Sequence, residues 1–99
     1  MAVYVDPARH PFRRMMMCHM VADTREELLE MAARIGVDHR WIQKAGTPHE
    51  HFDICKSKRA AAVRHGAIEV GALELGRILR AKRQGLAAGN PQELSLPGL

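Results

Sequence analysis

The residues richest in chemistry are His49-Glu50-His51-Phe52-Asp53, followed at once by Ile54-Cys55-Lys56-Ser57-Lys58-Arg59. Two imidazoles and a carboxylate alternate, so in an extended strand residues 49, 51 and 53 share one face. Imidazole exchanges protons near neutral pH, and with a carboxylate it forms hydrogen-bonded pairs or ligates divalent metals. Ser57-Lys58-Arg59 reads as a helix start. There the free backbone N–H groups, a hydroxyl, a Lys point charge and an Arg fork suit an anion such as phosphate. The plainer alternatives are a structural His–Asp pair and an ordinary capped, basic helix start.

His49-x-His51-x-Asp53 is similar in spacing to the H-x-H-x-D metal motif of metallo-β-lactamase-type hydrolases. Ile54 stands where that motif continues with a histidine, and 99 residues are too few for that fold, so that family is excluded. A single divalent metal on His49, His51 and Asp53, with His19 added, is the minor reading, and no cofactor is expected. The preferred role needs no metal: His51 donates to a phosphate oxygen or moves a proton, and Asp53 orients its ring. No glycine-rich loop precedes Ser57, which excludes a P-loop. His19 is the only polar side chain in the run Met15–Ala22. It reads either as a satisfied core histidine or as a wall of the same pocket, with Arg14 at the strand entrance. Trp41, the only tryptophan, reads as core or as a flat surface for a nucleobase.

The elements that must hold these groups follow from hydrophobic period and punctuation. Ala2–Val5 is a short strand ended by the turn signal Asp6-Pro7. Residues 7–14 read as a loop, and Met15–Ala22 as a strand buried on both faces. Thr24 with Glu27 forms a capping box, Leu28, Met31, Ala32 and Ile35 share a helical face, and Gly36 is the C-cap. Trp41–Gln43 reads as a short strand, 57–65 as a helix capped by Ser57, 68–70 as a strand and 72–84 as a helix. The result is an α/β class: one small domain over 1–85, with a mixed sheet of about four short strands and two to three helices. Residues 86–99 read as a flexible or subunit-docking tail.

The composition narrows the partners. The chain has a net charge of +4. Between residues 39 and 65, six cations stand against two anions, an excess equal to that of the whole chain. A basic patch of this kind suits phosphate-bearing molecules. Helix-turn-helix, zinc-finger and RNP-type patterns are missing, which disfavours nucleic acid. Cys18 and Cys55 form no CxxC pair and read as small buried hydrophobes in a reducing cytoplasm. There is no signal-peptide pattern and no membrane-length apolar run. The small core favours a homodimer or higher homo-oligomer.

Taken together, Met1–Asp6, Met17–Thr24 with Glu27-Leu28, Ile35-Gly36, Trp41, His51–Ile54 and Ser57-Lys58-Arg59 resemble the DUF4031 family of small bacterial and phage proteins of unknown function. The resemblance covers about residues 1–83. Its hallmark positions correspond to Asp6, Arg14, His19, Asp23, Trp41, His51, Asp53, Ser57, Lys58 and Arg59, with Phe52 where a tyrosine is usual. It implies a single site but no activity. The leading expectation is therefore a binder of a small phosphate-bearing ligand, a nucleotide or nucleotide-derived signal. Arg14, Lys58 and Arg59 would hold phosphate, Ser57 would add donors, His19, His51 and Asp53 would orient the ligand, and Trp41 would flank it. Phage proteins that sequester nucleotide signals are similar in size and charge, by analogy only. The alternative is a phosphodiesterase or nuclease-type hydrolase using His51 as acid or base with Asp53.

Overall fold

The computed structural model describes residues 2–87. Its elements in chain order are β1 (Val3–Val5), β2 (His10–Phe12), β3 (Met15–Ala22), α1 (Arg25–Ile35), β4 (Phe52–Cys55), α2 (Lys56–Arg64), β5 (Ile68–Glu69) and α3 (Ala72–Ala87). A 3-10 turn at His39–Trp41 follows α1. Five strands form one mixed sheet around β3, which runs antiparallel to β1, β2 and β4; β5 joins β1 in parallel.

β3 is long and apolar enough to serve three partners. Met20 lies opposite both Val5 and Phe52, and Met17 opposite both His10 and Cys55. β4 therefore takes one edge of β3, while β1 and β2 share the other. On that shared edge the chain advances five residues (5 to 10) while β3 advances three (20 to 17). The excess makes a bulge over Asp6–Arg9, which turns Asp6 inward toward β3.

Alternation along the strands separates two faces. Cys18, Met20 and Ala22 of β3 and Phe52 and Ile54 of β4 enter the main core with Leu28, Met31, Ala32, Ile35 and Ala62 from α1 and α2. On the opposite face, Val21 packs with Val70 and Leu75, joined by Tyr4, Ile78 and Leu79, so α3 covers one end of that face. The other end, around His19, is left uncovered by α3.

α1 follows its sequence pattern closely. Thr24 Oγ1 accepts from the Glu27 backbone N–H at 3.2 Å, and Gly36 closes the helix at φ 80°, where a side chain would be strained. Several expectations are corrected. β2 replaces part of the expected loop, made by a tight turn with Arg13 at φ 58°. β3 is buried on both faces only toward its end; Met15 and Met16 are 44% and 38% exposed. Trp41–Gln43 is not a strand: Asp38 caps the 3-10 turn, and Gln43 alone bridges to His51. α2 begins at Lys56 with Cys55 as N-cap, so Ser57 lies inside its first turn. α3 continues through the first two residues of the expected tail, and the rest of that tail lies outside the described residues. Among the described residues no helix is long and apolar enough to cross a membrane.

Candidate functional site

His19 is fixed before anything else in the site. The bulge brings the Asp6 carboxylate, 3% exposed, against β3. Asp6 Oδ1 accepts from the His19 backbone N–H at 2.7 Å, and Oδ2 lies 2.8 Å from His19 Nδ1. One carboxylate thus replaces the ladder partner that the bulge removes and also sets the ring. Arg59 reinforces the bulge by donating from Nε to the Asp6 carbonyl at 2.8 Å, while its Nη1 pairs with Glu69 at 2.9 Å.

His51 arrives from the loop between the 3-10 turn and β4. Glu50 anchors that loop: its Oε1 accepts from Arg25 Nε and Nη2 at 3.1 and 2.8 Å and from the Gly46 N–H at 3.0 Å. Burial alone would raise the Glu50 carboxyl. The Arg25 bonds, the Gly46 N–H and the charges of Arg25 and Lys82 outweigh it and hold the group below its ordinary value. The Gln43–His51 bridge closes the loop, and His51 Nδ1 donates to the His49 carbonyl at 2.8 Å.

Register then completes the cluster. Asp53 of β4 lies opposite His19 of β3. Asp53 Oδ1 is 3.4 Å from His51 Nε2 and 3.9 Å from His19 Nε2, and Asp53 Oδ2 accepts from Gln43 Nε2 at 2.6 Å. The His19 ring meets His51 edge-on at 5.3 Å and His10 at 4.4 Å between centroids. The cluster borders a cleft of about 840 Å³, whose lining includes His10, Phe12, His19, Trp41, Asp53 and Lys58. Phe12 and Trp41 are 53% and 59% exposed.

The expected site residues are therefore divided. His19, Asp53, Trp41 and Lys58 line the cleft, and His51 stands behind Asp53. The Lys58 side chain makes no hydrogen bond or ion pair among the described residues; its Nζ lies beside Gly36, at the C-terminal end of α1. Arg59, one residue on, points to the bulge and Glu69 and does not line the cleft. Arg14 is exposed in the β2–β3 turn and outside the lining, which its neighbour Arg13 joins. Ser57 is exposed, and its hydroxyl bonds Cys55 Sγ at 3.3 Å. His49 contributes its carbonyl, with its ring outside the cluster.

Cys55 also departs from its expected role. It is half-buried on the cleft side, where the Ser57 hydroxyl and then the Lys58 backbone N–H hold its thiol below the ordinary value. Cys18 behaves as expected: burial pushes its thiol up to about 12. The chemistry-bearing spacing did not single out Gln43, and Asp6 was marked only by the family resemblance. Asp6 carries a sequence signal, since it ends a β-prone run beside a proline, but that signal was read as a turn.

These features define a small α/β domain whose sheet is sealed on one face and carries a His–Asp cluster in a cleft on the other. Its sequence matches, over residues 3–82, the family described as "Protein of unknown function (DUF4031)", and the chain belongs to that family. No curated protein and no solved structure matches the chain.

Proposed function

We propose that the cleft binds a small phosphate-bearing ligand of nucleotide size. The observation that carries this reading is the lining itself. Two exposed aromatic rings, Phe12 and Trp41, stand in one cleft with an unpaired Lys58, Arg13 and the imidazoles of His10 and His19. A volume of about 840 Å³ lies within the range of small-molecule pockets. Exposed rings accept a flat base by stacking, and cations and imidazole N–H groups suit phosphate oxygens. Arg59 and Ser57 act indirectly in this reading, by holding the bulge and the start of α2.

A second reading, hydrolysis of the ligand's phosphoester, is favoured by the imidazoles of His19 and His51 gathered around the Asp53 carboxylate beside the cleft, where an imidazole nitrogen is available to exchange a proton with a bound ligand. Calorimetry against a panel of nucleotides tests binding, and chromatography of the same mixtures tests turnover. Saturable binding weakened by Lys58→Ala and Trp41→Ala is the expected result. Product that forms with the wild type and not with His51→Ala would establish the second reading. A folded chain that binds nothing in the panel overturns the first.

A further inference from the structure

The His–Asp cluster has an imbalance that hydrogen bonds do not resolve. The Asp6 carboxylate and the His49 carbonyl only accept, so the Nδ1 atoms bonded to them, His19 and His51 both at 2.8 Å, carry protons. In a neutral imidazole the other nitrogen then presents a lone pair. Both Nε2 atoms face one oxygen, Asp53 Oδ1, at 3.9 and 3.4 Å. Three acceptors converge with no donor between them.

Protons do not suit this arrangement. A charge-assisted N–H···O bond is about 2.8 Å long, shorter than either separation. Two imidazolium rings with centroids 5.3 Å apart would also repel each other. A shared ion fits better. With metal–ligand bonds of about 2.0–2.1 Å, neighbouring ligands of a tetrahedral zinc lie about 3.3 Å apart. One ligand atom from each of His19, His51 and Asp53 lies within 4.8 Å of the others.

We propose that His19 Nε2, His51 Nε2 and Asp53 Oδ1 bind one divalent first-row transition ion of the zinc or ferrous class. A coordination position remains open to the cleft. Two imidazoles and one carboxylate are a borderline donor set that such ions prefer to magnesium or calcium. The outer partners are already in place: Asp6 behind His19, the His49 carbonyl behind His51, and Gln43 on the second oxygen of Asp53. Asp6, His10 and His19 form a neighbouring group. Its Asp6–His19 contact uses the protonated Nδ1, so His19 serves the Asp53 side. The site stands whether or not the cleft takes a phosphate. If it does, the ion would offset the negative charge of Asp53 and supply a contact for a phosphate oxygen.

The test uses the untagged full chain, stripped with a chelator, and metal alone. Calorimetry with zinc sulfate should show one saturable site per chain. Cobalt(II) should give the intense visible bands of a four- or five-coordinate ion. Asp53→Asn, at an exposed position, should keep the wild-type circular dichroism and weaken zinc about a hundredfold; His19→Gln and His51→Gln should do the same or more. Asp6→Asn should cost about 10- to 100-fold through the ring it orients, and His65→Gln should change nothing. Absence of one-to-one uptake by the wild type overturns the proposal. So does uptake that Asp53→Asn, His19→Gln and His51→Gln leave unchanged. No nucleotide enters this assay, so its outcome is separate from that of the ligand screen.

Discussion

On β3 and β4 the residues alternate between two surroundings. Cys18, Met20, Phe52 and Ile54 are sealed against α1 and α2, whereas Met17, His19, Asp53 and Cys55 stand on the cleft side. The sealed positions need only volume and apolar surface, and packing fixes them. The cleft positions have almost no packing to fix them, so each important one is held by a named bond: His19 by Asp6, His51 by the His49 carbonyl, Asp53 by Gln43. Because the two sets share a backbone, the core sets where the chemistry stands. Phe52, between His51 and Asp53, is the clearest case.

This contrast gives a ranked set of tests. Phe52→Ala should cost about 3–5 kcal/mol in urea unfolding, while Asp53→Asn should stay within about 1 kcal/mol. Equal costs would break the comparison. The cysteines should differ next most. Peptide mass spectrometry after iodoacetamide at pH 7.5 should show Cys55 alkylated about a hundredfold faster than the sealed Cys18, with Ser57→Ala slowing Cys55. Equal rates would mean that the cleft side is closed.

The adjacent cations of α2 sharpen the contrast further. Arg59→Ala should cost about 1.5–3 kcal/mol, because it removes a charged donor from the Asp6 carbonyl. Lys58→Ala should leave stability within about 0.5 kcal/mol and show its effect in ligand affinity. The smallest effect concerns acid. The Glu50 carboxyl is held below its ordinary value in the fold, so its contribution is complete above the ordinary carboxylate range and is lost as pH falls through the folded value. Thermal unfolding between pH 7 and 3 should therefore lose part of its acid limb in Glu50→Gln. An unchanged limb would mean that the loop bearing His51 does not depend on this anchor.

What the sequence revealed follows the same division. α1 was legible because its signals are local: Thr24, Glu27, the Leu28–Ile35 face and Gly36 each act within a turn or two. β3 was legible from its apolar run. β2 was hidden because His10-Pro11-Phe12 has no alternating pattern, and its turn uses Arg13 at positive φ with no glycine to mark it. At the site, His19, His51 and Asp53 were named from residue type, but the link between them is register across β3 and β4, which no local pattern encodes. Lys58 and Arg59 were read together as phosphate ligands. Successive helical residues point about 100° apart, which sends one to the cleft and the other to the bulge. Asp6 was marked only by the family resemblance, because a buried carboxylate that serves His19, thirteen residues on, looks from its own neighbours like the end of a strand.

The three partners of β3 have a consequence for how the protein comes into being. β2 closes on β3 across the Arg13–Arg14 turn, a local event, whereas β4 must return from residues 52–55 to reach His19. Closing that long loop is the slower step. A nascent chain that has emerged only through α1 carries His19 and Asp6 but has no Asp53 to face them. Among the three partners of β3, the last to pair and the first moment at which the cluster exists are therefore one event, and no fragment ending before residue 53 can carry the cluster.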